Sequence, residues 1–429
     1  MTRRTRKNSL LPGWYDAGLE HIWLPYAQMK TVPSPLPVVR TQGARIVLAD
    51  GRELIDGIAS WWTACHGYNH PHIRQAVEEQ LALMPHVMFG GLAHEQAFRL
   101  ARRLTTLLPG DLSRVFFSDS GSVAVEVAIK MATQYWINKG QPGKSRLIAF
   151  KNAYHGDTTG AMALSDPESG MHGTFSSLLP KHQIADLPED DAATAALEKL
   201  LAASNSTIAG MIVEPLVQGA GGMKFHDAAV LQRLRALADR YDALLIFDEI
   251  FTGFGRTGSF FACEQANVVP DIIALSKALT GGTLPLAATI ASGKVFDAFW
   301  ADEQAKALMH GPTYMANALA CAAANASLDL FELEPRLRQV ADIGLAMERE
   351  LAPCRDFSRV KNVRVKGAIG VVELDRVDDL DGLRARFVEG GVFIRPIGNI
   401  VYLTPAFTIT AAELKILTDA VVKIVRDLK

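Results

Sequence analysis

The chain has 429 residues, of which 49% are hydrophobic and 21% are charged, with 44 basic against 46 acidic side chains. This composition excludes an intrinsically disordered chain, a collagen and a disulfide-stabilised mini-protein, and it supplies enough apolar material for a large core. The formal net charge of -2 provides no field that would attract a polyanion, so general nucleic-acid binding is disfavoured.

Residues 1–55 are expected to form an N-terminal arm that belongs in part to a small domain. The only apolar segment in its basic opening stretch is Leu10 and Leu11, which is too short for the core of a signal peptide. The chain has no run of about 18 consecutive apolar residues, so no membrane span is predicted. These features favour a cytosolic, that is cytoplasmic, protein.

Residues 56–328 are predicted to form a large domain. Its strands are short runs that are apolar on both faces, as in a buried parallel sheet: residues 114–118, 146–150, 208–215, 243–249 and 271–276. Helical patterns occur between these runs, over residues 122–139 and near residues 229–241. Alternation of this kind indicates an α/β fold with a mostly parallel, doubly wound sheet.

Residues 329–429 are predicted to form a smaller α+β domain. Residues 363–374 alternate like one half-buried antiparallel strand, and residues 392–405 are typical of a hairpin that turns at Gly398 and Asn399. A closing helix near residues 411–428 places five apolar side chains on one face: Leu414, Leu417, Val421, Ile424 and Leu428.

Several short patterns do not indicate a site. Residues 253–258 match G-x-G-x-x-G, but no clear helix starts there, and residues 143–145 lack the preceding glycine that a P-loop needs. His66 and His70 are four residues apart, but Asn69 and Pro71 break the helix that a metal pair would require. The four cysteines lie far apart, which favours free buried thiols and no metal site: Cys65, Cys263, Cys321 and Cys354.

Two charged residues at the ends of predicted strands indicate a cofactor site. Asp248 lies near the end of one strand and Lys277 directly follows the next. Because parallel α/β sheets bind ligands at the carboxyl ends of their strands, we expect both side chains in one crevice. A lysine can form an imine with a carbonyl group and an acid can hold a ring nitrogen protonated, as in pyridoxal phosphate enzymes. Either residue alone is also compatible with a surface salt bridge.

A phosphate-binding turn and an aromatic ring follow two other predicted strands. Gly121 allows close approach of the backbone, and Ser122 is predicted to open a helix whose N–H groups can bind a phosphate. Tyr154 follows the strand at residues 146–150, where its ring could stack on a flat cofactor. An ordinary surface loop is the alternative interpretation for Tyr154.

These residues lie in strings that resemble the class III aminotransferases of pyridoxal-phosphate fold type I. The strings cover residues 118–132, 152–162, 244–258, 270–282 and 309–328 in that order, and the match extends over nearly the whole chain. The resemblance implies a large domain with a mostly parallel seven-stranded doubly wound sheet, a smaller α+β domain, and pyridoxal 5'-phosphate as cofactor.

The resemblance implies a role for each matching position. Lys277 would be the catalytic residue and carry the cofactor as an imine, and Asp248 would pair with the pyridine nitrogen. Gly121 and Ser122 would bind the phosphate. Tyr154 would cover the ring and approach the substrate.

In this family the active site lies at the interface of a homodimer. Pro312 and Thr313 would therefore reach the phosphate of the cofactor in the neighbouring subunit, and Gly311 would lie beside its substrate. Oligomerisation would then be required for activity.

Further strings resemble the branch of this class that aminates 8-amino-7-oxononanoate with S-adenosyl-L-methionine in biotin biosynthesis. They cover residues 22–29, 57–71, 84–94, 214–223 and 363–373. Four matching positions would recognise the oxo-acid, beside Tyr154, Lys277 and Gly311: Tyr26, Trp61, Arg395 and Tyr402.

The chemistry of these side chains suits a long oxo-acid. Arg395 can give two parallel N–H bonds to the distant carboxylate, while Tyr26 and Trp61 can line the apolar chain. An exposed strand charge is the alternative interpretation for Arg395. Neighbours in an extended segment face opposite ways, so of Trp61 and Trp62 we expect Trp61 to face the ligand and at least one to pack in the core.

One departure from the wider class also bears on the substrate. Ala220 stands where class III enzymes often carry an acidic residue, which argues against an ordinary ω-amino acid transaminase. The expected reaction is ping-pong, with two half-reactions on one cofactor. The alternatives are the same reaction with lysine as donor, a broad ω-amino acid or diamine transaminase, an isomerase of the same fold, and a non-catalytic cofactor-binding regulator.

Overall fold

The computed structural model describes residues 12–166 and 172–428. The first eleven residues, which make up most of the basic stretch of the predicted arm, lie outside the described residues. No helix in the described part of the chain is both long and apolar enough to cross a membrane.

The helices of the described residues are, in chain order, α1 (Gly13–Leu19), α2 (Ala59–Trp62), α3 (Pro71–Leu83), α4 (Glu95–Leu107), α5 (Gly121–Asn138), α6 (Thr159–Ala163), α7 (Asp191–Ser204), α8 (Ala228–Arg240), α9 (Cys263–Ala266), α10 (Gly293–Asp297), α11 (Ala318–Leu333), α12 (Arg336–Leu351), α13 (Leu380–Glu389) and α14 (Ala411–Arg426). The strands are β1 (Val38–Gln42), β2 (Arg45–Leu48), β3 (Glu53–Asp56), β4 (Leu112–Ser118), β5 (Arg146–Phe150), β6 (Gln183–Ala185), β7 (Ile208–Val213), β8 (Val217–Gln218), β9 (Lys224–Phe225), β10 (Leu244–Asp248), β11 (Ile272–Leu275), β12 (Ala287–Ser292), β13 (Val360–Lys366), β14 (Ile369–Leu374), β15 (Val392–Phe393) and β16 (Ile400–Leu403).

The largest sheet has seven strands in the order β4-β12-β11-β10-β7-β5-β6. All neighbouring strands from β11 to β6 run parallel, and β12 is antiparallel to both of its neighbours. The predicted mostly parallel, seven-stranded sheet is therefore confirmed.

Each central strand of this sheet contributes to two hydrophobic cores. In β10, Leu244 and Ile246 pack with α5, whereas Leu245 and Phe247 pack on the opposite face with α8. This division follows from the alternation of side chains along a strand. Because both faces are covered by helices, the strands are apolar throughout, which is why they could be recognised in the sequence.

The C-terminal part differs from the prediction in two places. Residues 363–374 do not form one strand: β13 and β14 pair as an antiparallel hairpin around Gly367, whose φ is +53°. The turn at Gly398 and Asn399 is present, but its arms join different sheets, because β15 pairs with β3 and β16 pairs with β14. Pro396 has no N–H to continue a ladder, so the hairpin cannot extend past Ile397.

The N-terminal strands belong with the C-terminal part of the chain. A four-stranded sheet has the order β1-β2-β3-β15, and thus joins residues 38–56 to Val392 and Phe393. The expected boundary after residue 328 falls inside α11, which runs from Ala318 to Leu333. The division into three segments stays a prediction.

Candidate active site

Five of the predicted residues converge on one cavity at the carboxyl ends of β5, β10 and β11. Asp248 ends β10, Lys277 follows β11, and Tyr154 follows β5, while Gly121 and Ser122 lie in the first turn of α5; all five line this cavity. A second cavity adjoins it and shares Tyr154 and Lys277 with the first. We call them the inner and the outer cavity.

Lys277 stands at the junction of the two cavities. Its backbone is left-handed, with φ of +46°, at the start of a short 3-10 turn. Nζ lies 4.9 Å from the ring centre of Trp62 and, among the described residues, makes no ion pair. Burial lowers the pKa of Lys277, against the opposing charge of Asp248. Burial thus favours the neutral, nucleophilic form of the amine relative to an exposed lysine.

Asp248 forms a buried pair with His155, a residue that we did not predict. His155 Nδ1 lies 2.7 Å from Oδ2 of Asp248, and the backbone N–H of Ile250 donates to Oδ1 at 3.1 Å. Burial by itself would lower the pKa of His155, but the hydrogen bond and charge of Asp248 raise it. The two N–H donors fix the carboxylate at the base of the inner cavity.

Glu214 lines the inner cavity and binds the backbone of two neighbouring loops. The backbone N–H groups of Tyr154 and Gly219 donate to its two carboxylate oxygens at 3.1 and 3.0 Å. Burial raises the pKa of Glu214 to about 7. The side chain thus holds Tyr154 in place at the end of β5.

The turn before α5 has the features of an anion site, with one correction. The helix begins at Gly121 and is capped by Ser120, whose hydroxyl accepts from the N–H of Val123 at 3.3 Å; Ser122 does not open it. The hydroxyl of Ser122 accepts from the N–H of Asp157 at 3.1 Å, which leaves its own proton to donate. The first N–H groups of the helix and this hydroxyl can bind a phosphate.

A polar cluster lies at the mouth of the two cavities. Asp157 accepts hydrogen bonds from the hydroxyls of Tyr26 and Tyr154, the latter at 2.9 Å. His172 Nε2 lies 2.9 Å from the same carboxylate, and its ring stacks on that of Tyr154. Burial opposes ionisation, but the bonds from Tyr26, His172 and Tyr154 lower the pKa of Asp157. The tyrosines are thereby oriented by one carboxylate.

Trp61 and Trp62 both line the outer cavity, and the premise that their segment is extended is wrong. Trp62 is also buried in the hydrophobic core, as expected for at least one of the pair. Residues 59–62 form a left-handed turn with φ between +44° and +74°, which costs about 1–2 kcal/mol per residue. Buried Asp56 holds this turn, because its oxygens accept from the N–H groups of Ile58 and Ser60, each at 2.8 Å. Trp62 packs against Phe251, and Trp61 lies on the exposed side.

Arg395 lies at the outer cavity, as predicted, together with an arginine that we did not predict. Its guanidinium is 5.5 Å from the ring centre of Trp61, and Arg384 lines the same cavity. Burial and then the charge of Arg384 lower the pKa of Arg395. Tyr26 also lines this cavity, whereas Tyr402 is fully buried with its ring 6.1 Å from Trp62 and is not part of the wall.

Ala220 lines both cavities. The acid that many class III enzymes carry at this position would therefore face the ligand. Its absence leaves the wall between the aromatic rings uncharged.

Gly311, Pro312 and Thr313 are not brought to either cavity of their own chain. Gly311 and Thr313 are exposed, and the carbonyl of Thr313 accepts from His86 at 3.1 Å. Their contact with the site of a second subunit stays a prediction.

The residues missed by the sequence analysis lie close to those it found. His155 and Asp157 are neighbours of Tyr154 in the string NAYHGD, so the acid and the imidazole beside a predicted site residue were an available signal. Glu214 follows β7 as Asp248 ends β10, and the same rule of strand ends could have found it. Arg384 had no such signal, because its place depends on how α13 packs.

The chain is similar to known aminotransferases both in sequence and in structure. The family described as "Aminotransferase class-III" matches residues 26–425. A relative from Buchnera aphidicola subsp. Acyrthosiphon pisum, named adenosylmethionine-8-amino-7-oxononanoate aminotransferase, is 44% identical over 409 residues, which cover 94% of this chain and 95% of the relative. The crystal structure of a protein with the same name from Methanocaldococcus jannaschii has a TM-score of 0.91 at 32% identity and covers 96% of this chain and 99% of its own. An amine transaminase from an uncultivated Pseudomonas species, in a PLP-bound form, has a TM-score of 0.86 at 34% identity, with 93% and 97% covered.

Proposed function

The chain belongs to the class-III aminotransferases, and from this premise we propose that it aminates 8-amino-7-oxononanoate with S-adenosyl-L-methionine as donor, giving 7,8-diaminononanoate for biotin biosynthesis. The names of the relatives from Buchnera aphidicola and Methanocaldococcus jannaschii support this reaction. One structural observation carries it: the amine of Lys277 lies between an inner cavity that ends at Asp248 and an outer cavity that reaches Arg395.

Pyridoxal 5'-phosphate is the proposed cofactor, as the family and the PLP-bound relative suggest. The residues of the inner cavity fit it: Lys277 would bind the aldehyde, Asp248 would bind the ring nitrogen, and the backbone of Gly121 with the hydroxyl of Ser122 would bind the phosphate. When bound, the cofactor supplies an aldehyde that exchanges amines and a ring that accepts electrons.

Lys277 moves the proton in both half-reactions. Its amine, with a pKa lowered by burial, takes a proton from the donor carbon that carries the amino group. In the second half-reaction the same nitrogen returns a proton to the corresponding carbon of the acceptor. One side chain can thus serve as base and then as acid in the two halves of a ping-pong reaction.

Asp248 maintains the charge on the cofactor ring. A carboxylate held by His155 and by the backbone N–H of Ile250 keeps its orientation while a proton sits on the ring nitrogen. Tyr154, fixed by Glu214 and Asp157, lines both cavities, so its ring can cover the cofactor and approach the substrate.

The outer cavity suits an oxo-acid with an apolar chain and a distant carboxylate. Tyr26 and Trp61 provide aromatic walls, Arg395 provides the cation, and Tyr402 supports Trp62 from behind. The same rings can hold the sulfonium and adenine of the donor by cation–π and stacking contacts.

A homodimer completes the site in this proposal. Pro312 and Thr313 would reach the phosphate in the neighbouring subunit, and Gly311 would lie beside its substrate. Large apolar side chains exposed near these residues, Met309 and Tyr314 among them, support an interface there.

The function is tested by assaying purified protein loaded with pyridoxal 5'-phosphate for the diamine product. The oxo-acid is supplied with S-adenosyl-L-methionine, with lysine, or with a panel of simple amines, each alone. Turnover only with S-adenosyl-L-methionine is the expected result. Turnover with lysine alone would overturn the donor, and broad turnover with amines would favour the activity named for the Pseudomonas relative.

Replacing Gly156 with alanine is expected to weaken cofactor binding. Gly156 has φ of +127°, and a Cβ there would lie 2.1 Å from the hydroxyl oxygen of Ser122, so this hydroxyl must move away from the phosphate site. Loss of one charge-assisted hydrogen bond should raise the Kd for pyridoxal 5'-phosphate roughly tenfold or more. Fluorescence titration of the apoenzyme measures the Kd.

Two further variants control for a folding defect. Ser122→Ala removes the hydroxyl without strain and should shift the Kd in the same direction, whereas Gly18→Ala, with open space around its Cβ, should not. Unchanged cofactor affinity in both Gly156→Ala and Ser122→Ala would remove this turn from the phosphate site.

Replacing Arg395 with alanine is expected to raise the KM for the oxo-acid about 10- to 100-fold with a small change in kcat, since the contact is remote from the reacting carbon. Steady-state kinetics at saturating donor measure both constants. Arg376→Ala serves as the control, because Arg376 pairs with Asp378 on an exposed surface. An unaltered KM would show that Arg395 does not bind the carboxylate.

A further inference from the structure

A second guanidinium lies at the same end of the outer cavity as Arg395. Arg384 is on α13, whereas Arg395 follows β15, and the packing of these two elements brings both side chains to the cavity wall. The two charges are close enough for Arg384 to lower the pKa of Arg395. Like charges held together in a partly buried site favour an anion between them.

The hydrogen bonds of Arg384 leave one N–H group on each terminal nitrogen without a partner among the described residues. Nη1 donates to Asp381 at 2.9 Å and Nη2 donates to the carbonyl of Pro396 at 3.1 Å. These two bonds fix the plane of the guanidinium. Nε is buried and has no hydrogen-bond partner among the described residues. Because Nε has no accessible surface, a ligand carboxylate would bind instead through the second N–H of Nη1 and of Nη2, on a side chain that is 28% exposed.

The charge of Arg395 is not neutralised by an ion pair with a described residue. Within residues 12–166 and 172–428 it makes no ion pair, and its closest aromatic contact is the ring of Trp61. Asp381 is the carboxylate nearest to this pair, but its side chain is 47% exposed and is already bound to Arg384. The arginine pair therefore carries uncompensated positive charge at the end of an aromatic cavity.

We propose that Arg384 is a second carboxylate-binding residue, which together with Arg395 holds the acid end of the acceptor. The inference rests on the proposed function and deepens it. Two cations at this end favour a chain that ends in a carboxylate over a chain that ends in an uncharged group. Arg384 is thus a specificity-determining residue that selects an acceptor with a distant carboxylate.

The test is direct binding of nonanoate, a carboxylate of the same chain length as the acceptor, to the holoenzyme by isothermal titration calorimetry. Arg384→Gln is expected to weaken nonanoate binding about tenfold. Arg384→Lys keeps the charge but lacks the planar donors, so its affinity for nonanoate should lie between those of the wild type and Arg384→Gln. Nonanamide, which has no charge, should bind all three proteins equally.

Asp381→Asn distinguishes ligand binding from a structural role. It removes the negative charge beside Nη1 but keeps an oxygen acceptor and Arg384 itself, so nonanoate should bind as well as in the wild type or more tightly. If Arg384 only braces the turn at Pro396, Arg384→Gln and Asp381→Asn would weaken nonanoate and nonanamide alike, and the proposal would be overturned. Equal nonanoate affinity in Arg384→Gln and wild type would also overturn it.

This measurement does not depend on turnover. A wild-type protein that binds nonanoate through Arg384 but produces no diamine would refute the proposed reaction and retain the carboxylate site. A wild-type protein that produces the diamine, together with an Arg384→Gln variant that binds nonanoate equally well, would support the proposed reaction and refute the role of Arg384.

Discussion

Replacing Lys277 with alanine is expected to lower the rate of transamination by at least about a thousandfold, because the variant lacks the nitrogen that moves the proton. The thermal midpoint should stay within a few degrees of the wild type. The amine is taken out of water without an ion pair among the described residues, so its loss removes a desolvated polar group rather than a stabilising contact.

Diamine formation under single-turnover conditions measures this effect. The visible absorbance of the bound cofactor provides a second measurement, since Lys277→Ala should still bind pyridoxal 5'-phosphate but release it on dialysis. Lys294→Ala, with a side chain 54% exposed, is the matched control and should behave as the wild type. Retention of more than a few percent of the wild-type rate in Lys277→Ala would remove this residue from its catalytic role.

Replacing Asp248 with asparagine is expected to lower kcat by about two to four orders of magnitude, because a neutral amide cannot keep the ring nitrogen protonated. Asparagine has the same shape and can still accept from His155 or from the N–H of Ile250, so the fold should be retained. The loss would therefore reflect charge and not geometry.

Spectroscopic pH titration of the bound cofactor separates these effects. The wild-type spectrum should not change with pH over the working pH range, because the ring nitrogen stays protonated. The Asp248→Asn spectrum should change with pH as the ring nitrogen loses its proton. Asp242→Asn is the control, since Asp242 is exposed in the turn before β10. A nearly normal kcat in Asp248→Asn would assign the partner of the ring nitrogen to another group.

Much of the inner cavity could be predicted from local sequence. β5 and β10 lie within a residue of the predicted runs, because strands covered on both faces are apolar at every position and read as contiguous blocks. The carboxyl ends of parallel strands meet at one edge of the sheet, so Asp248 and Lys277 had to lie near each other. Tyr154 followed from the same argument.

The outer cavity could not be predicted in the same way. The left-handed turn at residues 59–62 is unfavourable for tryptophan by itself, and it persists because Asp56 and the surrounding core hold it. The sequence therefore suggested an extended segment with one ring in the core. Trp62 does pack in the core, but the left-handed turn lets both rings line the cavity, because the tertiary contacts outweigh the local preference.

The sequence by itself determined five strands of the large sheet, the ends of those strands and the residues that stand there, because these features depend on the chemistry of neighbouring residues; β6 and β12 were not predicted, and the number of seven strands came from the family resemblance. Only the tertiary structure decided the sheet partners of β15 and β16, the direction of Trp61 and Trp62, and the meeting of Arg384 with Arg395. Each of these depends on contacts between segments that are distant in the chain or on a backbone conformation that such contacts hold, and local periodicity contains no information about them.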